Sequence, residues 1–151
     1  MKKDTTIEAF KRGDETGILT LLSLAELPTE DLAIDKLKTF LVARGEDNVV
    51  IGAIGVELYD DIGLLRSLVV APSYRGKGLG VQLVHELQSY AQKKGIKTLF
   101  LLTVTAGDFF KKLGYQATQR SIVPAAIAKT EEFKNICPVS AVCLFKNLGS
   151  P

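Results

Sequence analysis

VVAPSYRGKGLGVQLV, residues 69–84, sets three glycines and two cations between an apolar run and a segment with helical spacing. Glycines at alternate positions, Gly76, Gly78 and Gly80, strip side chains from a turn and let its backbone N–H groups approach a ligand closely. A helix starting immediately afterwards presents unpaired N–H donors and the positive end of its dipole. Such a turn suits an anion, with phosphate the expected guest and a plain solvent loop the alternative. Two phosphate-loop spellings fail here. The Walker pattern needs Gly-Lys-Ser/Thr at a fixed distance from an earlier glycine, and no such triplet stands in the chain. The dinucleotide pattern needs Gly-x-Gly-x-x-Gly, whereas this turn reads Gly-x-Gly-x-Gly and follows Pro72.

The 151 residues are those of one domain, 1–151, able to bury a sizeable core. Hydrophobic content of 46% and charged content of 24% are ordinary for a water-soluble globule. A net charge of +2, with the 19 basic residues scattered, gives no stripe for nucleic acid. The start MKKDTTIEAF has no apolar signal region and no stretch is long enough to span a bilayer, so a cytoplasmic protein without membrane partners is expected. Cys137 and Cys143 are too few for a zinc site and unconvincing as a disulfide; buried thiols, and no metal, are the expectation.

Hydrophobic spacing predicts the elements. Residues 6–10 read as a strand, and Asp14 as the N-cap of a helix over 15–24. Residues 28–37 suggest a second helical piece. Two β-rich runs, 38–45 and 48–59, are split by Glu46–Asn48 as in an antiparallel hairpin, and 64–70 forms the next strand. From Gly78 to Gln92 the period becomes helical, with Leu79, Leu83, Leu87, Tyr90 and Ala91 on one face. His85, the single histidine, falls on the opposite face toward water and is given no catalytic part. Residues 97–104 read as a buried strand, 105–115 as a short helix ending at Gly114, 115–123 as extended, 124–136 as a helix, and 140–148 as the last strand. Helices and strands mix without strict alternation, on the α/β to α+β border.

Arg75-x-x-Gly78-x-Gly80 directly after LLRSLVVAP, together with AGDFFKKLGY at 106–115, resembles the two signatures of the GNAT superfamily of acetyl-CoA-dependent N-acetyltransferases. The succession of elements matches over nearly the whole chain. The resemblance implies a single mixed, mostly antiparallel sheet of about seven strands, flanked by helices and splayed at the acetyl-CoA strand. GVELYDDIGLLRSLVV, FLLTVTAGDFF and QRSIVPAAIAKTEEFKNICPVSAV resemble, more narrowly, the arsenic-resistance N-acetyltransferase branch. That branch implies an amino-acid-like acceptor, of the organoarsenical or phosphinothricin kind.

Carried over residue by residue, the resemblance assigns the Leu68 N–H to the thioester carbonyl and Val70 to the pantetheine amide. Val69 and Phe110 belong to the cofactor surface, and Arg75, Gly76, Lys77, Gly78, Leu79 and Gly80 to the pyrophosphate. The chemistry implied is direct attack of a neutral amine, which needs a base. Glu57, on an otherwise apolar strand, is the candidate; a solvent-facing strand glutamate is the competing reading. Phe110 stands where many relatives place a tyrosine as acid for the thiolate, and Leu64 where some place a glutamate. Tyr59 or Tyr115 would replace the acid, unless the thiolate leaves unaided. Arg66, two residues before Leu68 and thus on its side of the strand by simple alternation, and Arg120 are candidates for an acceptor's carboxylate, phosphonate or arsonate, each with a structural salt bridge as alternative. The partner expected is a small anionic amine, and the sequence allows a homodimer. A second reading is a GNAT domain that binds acyl-CoA without transferring it.

Overall fold

Thr6–Ala9 (β1), Phe40–Arg44 (β2), Val50–Tyr59 (β3), Ile62–Val70 (β4), Thr98–Thr103 (β5), Gln116–Thr118 (β6) and Val142–Asn147 (β7) are strands in the computed structural model, which describes residues 5–136 and 141–149, and β-branched residues are most numerous in β3. They form a seven-stranded sheet in the order β1-β2-β3-β4-β5-β7-β6. The β4 and β5 strands run parallel, and the pairs β1 with β2, β2 with β3, β5 with β7 and β6 with β7 are antiparallel. The helices are Glu15–Leu24 (α1), Ile34–Leu37 (α2), Leu79–Lys93 (α3), Gly107–Lys112 (α4) and Ala125–Ala128 (α5). The expected mixed sheet of seven strands with flanking helices is therefore observed.

The chain divides into two compact units, one of residues up to Val56 with Ser67–Ser89, the other of Glu57–Arg66 with residues from Tyr90 on. In the first, Ile18 and Leu22 lie one helical turn apart on α1 and are fully buried against Leu37, Phe40, Val42, Ala53 and Val69. Phe40 pairs with Gly55 across β2 and β3, and its ring covers that glycine so closely that an added Cβ would stand 2.3 Å from it. The glycine is there because the ring needs the space.

Asp14 occupies the residue before α1, yet its side chain caps nothing. Its carboxylate instead accepts two hydrogen bonds of 2.7 Å from Arg44 on β2 and one of 2.8 Å from the Lys11 backbone N–H. Arg44 also donates through Nε to Glu8, at 3.0 Å. A buried guanidinium outcompetes helix amides for a carboxylate, because leaving that charge unpaired costs more than an uncapped turn. The Arg44 hydrogen bonds hold the carboxyl groups of Asp14 and Glu8 below their ordinary pKa values.

In the second unit, Leu64, Phe100, Ile127, Phe133 and Cys143 form the core, with Tyr59, Ile62, Val123 and Phe145 packed on it. Parallel pairing of β4 and β5 covers Ile62–Leu64 with Thr98–Phe100, although β4 continues in this unit to Arg66 and β5 pairs β7 as far as Thr103. The ladder thus opens after Leu64 and Phe100. The helix expected over 124–136 is broken: α5 ends at Ala128, and a π-helical turn occupies Glu132–Ile136. Thr130 causes the break, because its hydroxyl donates back to the Ile127 carbonyl at 2.8 Å and accepts the Phe133 N–H at 3.4 Å. Residues 28–37 likewise form only the four-residue α2, and the extension after Tyr115 ends at Thr118 in a 3-10 turn, Arg120–Ile122.

Gly55→Ala should destabilise the chain by at least about 1–3 kcal/mol in denaturant unfolding, the usual penalty of overpacking. Asp14→Asn should lower stability by roughly 1.5–3 kcal/mol at pH 7. The folded pKa of Asp14 lies below its unfolded value of about 3.9, so this contribution is fully present above that value and is lost as pH falls toward the folded one. The gap between wild type and variant in thermal unfolding should therefore close below about pH 4.

Candidate functional site

The glycine turn is built on backbone. Within β4, Val69 points into the core of the first unit and is 4% exposed, while Leu68 and Val70 are half-buried. Val69 can therefore offer a ligand its main chain only. Ser67 adopts φ +62°, so simple alternation does not carry from Arg66 to Leu68, contrary to the sidedness read from the sequence. After β4 a 3-10 turn, Pro72–Tyr74, leads into Arg75, whose Nε donates to the Val70 carbonyl at 2.9 Å.

Gly76 and Gly78 have φ of +79° and +86°, the left-handed region, and a Cβ added at either would meet nothing within 4 Å. Their constraint is thus conformational rather than steric, since any L side chain there strains the backbone. The Gly78 carbonyl accepts the Gln82 N–H at 3.1 Å, which makes Gly78 the last residue before α3. Leu79 is buried and Gly80 half-buried, so both contribute main-chain N–H groups in the first turn of a 15-residue helix. Arg75, Gly76, Lys77 and Gly78 are exposed around that turn, and the Lys77 Nζ lies 5.9 Å from the Tyr74 ring centroid. The unpaired N–H groups and positive dipole end of the first turn of α3 thus follow directly on two exposed cations, Arg75 and Lys77, an arrangement that suits an anion.

The second group of candidates meets inside the other unit. Glu57 is not a solvent-facing strand residue; it is 7% exposed. Its Oε2 accepts from the Arg66 Nη1 at 2.6 Å, and its Oε1 accepts from the Tyr59 hydroxyl. Arg66, whose side chain is 0% exposed, also reaches Glu132 through Nη2 at 3.5 Å. The salt bridge that the sequence left open for Arg66 is thus present, and its partner is the candidate base. A signal for that pair existed, two opposite charges on consecutive apolar strands. Glu132 had none, since Glu131 and Glu132 read alike; the first is exposed and the second buried.

Arg120 donates to the Phe133 carbonyl at 3.0 Å and lies 5.5 Å above the Phe133 ring, which fastens the π-turn. Phe110 is 4% exposed and packs edge-on against Tyr115, with centroids 5.3 Å apart. Burial pushes the Tyr115 phenol above its ordinary pKa, so it stays protonated and serves better as a hydrogen-bond donor than as a proton donor. Lys146 closes this corner, donating to the Leu113 carbonyl at 2.8 Å at the end of α4. Burial raises the Cys143 thiol to about 11, which leaves it unreactive at neutral pH. Cys137 lies outside the described residues. His85 is exposed on α3. Among the described residues no helix is long and apolar enough to cross a membrane, and no three His, Cys, Asp or Glu residues gather as a metal site.

A family model described as an acetyltransferase (GNAT) domain matches residues 36–117. An amino-acid acetyltransferase of Pseudomonas fluorescens is 30% identical over 122 residues, 80% of this chain and 27% of the relative. An uncharacterised N-acetyltransferase of Chlorobaculum tepidum is 32% identical over 95 residues, 62% of this chain and 60% of the relative. The chain spans about a quarter of the length of the amino-acid acetyltransferases it matches. Among solved structures, N-acetylglutamate synthase from Neisseria gonorrhoeae, complexed with coenzyme A and N-acetyl-glutamate, has a TM-score of 0.83 at 20% identity, over 99% of this chain and 36% of that one. An acetyltransferase of the GNAT family from Staphylococcus aureus gives 0.76 at 18% identity, over 97% of this chain and 100% of that one. At these identities the structural likeness concerns fold, whereas the family match covers more than half of the sequence: the chain belongs to the GNAT acetyltransferase family.

Proposed function

We propose that the chain transfers the acetyl group of acetyl-CoA to the amino group of a small, anionic, amino-acid-like acceptor. The observation that carries this reading is the left-handed turn at Gly76 and Gly78, exposed and followed at once by α3. It is a backbone anion cradle next to a strand end, and the family match gives that anion its chemistry. Arg75 to Gly80 take the pyrophosphate. The Leu68 N–H polarises the thioester carbonyl and Val70 holds the pantetheine by main chain, with Val69 next to them in the strand; Phe110 is assigned to the cofactor by the family resemblance. The Val70 carbonyl now accepts from Arg75, so Arg75 would release it on turning to the pyrophosphate.

In the reaction, the amine nitrogen forms the new C–N bond, the C–S bond breaks, and one proton leaves the nitrogen. Glu57 receives that proton through Tyr59, whose hydroxyl already donates to it and which is the more exposed of the two. Tyr115 offers the departing sulfur a hydrogen bond. An amino acid as acceptor accords with the names of the relatives, an amino-acid acetyltransferase and an N-acetylglutamate synthase. The finer choice, an organoarsenical or phosphinothricin-like acceptor, is supported by the resemblance of the 119–142 segment to the arsenic-resistance branch.

A second reading is acyl-CoA binding without transfer, favoured by Phe110, which fills with a non-ionisable ring the place of a proton donor. Thiol release from acetyl-CoA, measured with glutamate, phosphinothricin, an organoarsenical amino acid, a polyamine and a lysine peptide, separates the two. Release with the anionic amino acids alone is expected; acetyl-CoA binding with no release from any of the panel would favour the second reading. Glu57→Gln should then lower kcat by about 100-fold, the usual weight of a general base. Gly78→Val, forced into a left-handed φ at about 1–2 kcal/mol, should raise the KM for acetyl-CoA roughly tenfold with little change in kcat.

A further inference from the structure

The Val70 carbonyl, to which the acetyl-transfer reading assigns the pantetheine, is already taken by the chain itself. The next residue, Ala71, donates its N–H to the Ile51 carbonyl at 2.8 Å and so faces β3, and alternation along the strand turns the peptide groups of Val70 the other way. The parallel ladder of β4 extends no further than Leu64, so among the described residues no strand pairs with that edge at Val70. What stands there is Arg75. The 3-10 turn Pro72–Tyr74 folds the chain back, the Arg75 N–H donates to the Pro72 carbonyl at 3.3 Å, and the side chain reaches the Val70 carbonyl through Nε at 2.9 Å. An added strand runs about 4.8 Å from its neighbour, so a guanidinium at this distance from the oxygen lies in the lane that an extended ligand would take. The second lone pair of the oxygen does not help such a ligand, because the obstacle is the planar group itself.

We propose that Arg75 gates the Val70 carbonyl: it covers that edge until a pyrophosphate draws the guanidinium away, so the chain selects thioesters that carry a pyrophosphate over those that end at pantetheine. The inference rests on the acetyl-transfer reading for the identity of the ligand. Arg75 is exposed, and among the described residues the Val70 carbonyl is the one hydrogen-bond partner of its side chain. A bond from an exposed guanidinium to a neutral carbonyl yields to a pair with an anion, and an anion on the turn at 76–80 arrives directly beside Arg75. Only an exposed side chain has to change rotamer; strand and helix stay where they are. Val70 and the whole turn belong to one compact unit. The two halves of the cofactor are thereby coupled through one side chain, and the coupling is reciprocal, since a ligand on the Val70 edge also frees Arg75 for the anion.

S-acetylpantetheine carries the amides and the thioester but no phosphate, and calorimetric titration compares it with acetyl-CoA without turnover. Arg75→Ala should bind acetyl-CoA about tenfold more weakly, for the lost charge-assisted bond, and S-acetylpantetheine about threefold more tightly, for the uncovered carbonyl. Arg75→Met, which keeps the length of the stem and has no donor, should behave in the same way and carries the test if Arg75→Ala melts early. Unchanged or weaker binding of S-acetylpantetheine in the variants, no binding of it to any of the proteins, or an acetyl-CoA affinity that does not fall would overturn the gate. An Arg75 that only contacts pyrophosphate leaves the affinity for S-acetylpantetheine unmoved, and one that braces the strand end lowers it. Tighter S-acetylpantetheine binding without thiol release from acetyl-CoA by any amine would sink the acetyl-transfer reading and leave the gate standing; thiol release with that affinity unmoved would do the reverse.

Discussion

A guanidinium cannot be taken out of water without carboxylates to meet it, because the desolvation of an unpaired ion exceeds what packing around it returns. The Arg66 side chain is wholly buried, and two segments are arranged around that fact. Glu57 on β3, which also accepts from the Tyr59 hydroxyl, supplies one side through a hydrogen bond, and the π-turn brings Glu132 to the other. The same rule governs the first unit, where Arg44 draws Asp14 away from its helix end and holds Glu8 as well. In each unit a strand arginine decides where a connecting segment lies.

The two groups of candidate residues work by different physics. The turn from Arg75 to Gly80 relies on main-chain donors, and its side chains matter chiefly by being absent at Gly76 and Gly78, where φ is positive. The cluster around Arg66 relies on charge, and its members are specific in length and geometry. A change of side chain in the turn is tolerated wherever the backbone conformation survives, whereas a change of one carboxylate in the cluster alters the balance of all the others.

Most elements could be read from hydrophobic period. The face of α3 formed by Leu79, Leu83, Leu87 and Ala91 is buried as its spacing requires, and His85 is exposed on the other side. The stretch over 124–136 misled because its alanines and charged residues favour a helix by propensity alone. Thr130 diverts the backbone through its own hydroxyl, and the burial of Ile127 and Phe133 in one cluster then selects the broken form. Asp14 was misleading in a similar way. A capping residue type at a helix start is a local signal, and the Arg44 that claims it is thirty positions away in the chain.

What the sequence determined by itself is what near neighbours in the chain decide: most of the strands and helices, the glycine turn before α3 with its left-handed glycines, and the family to which they belong. These follow from local sterics and from periodicity, which act over a few residues. The tertiary structure alone decided the partners of the charged groups, Glu57 with Arg66, Glu132 with Arg66 and Asp14 with Arg44. Equivalent acids such as Glu131 and Glu132 differ only in which of them the packed turn buries, and burial converts a charge from a solvated surface group into one that must find an opposite charge.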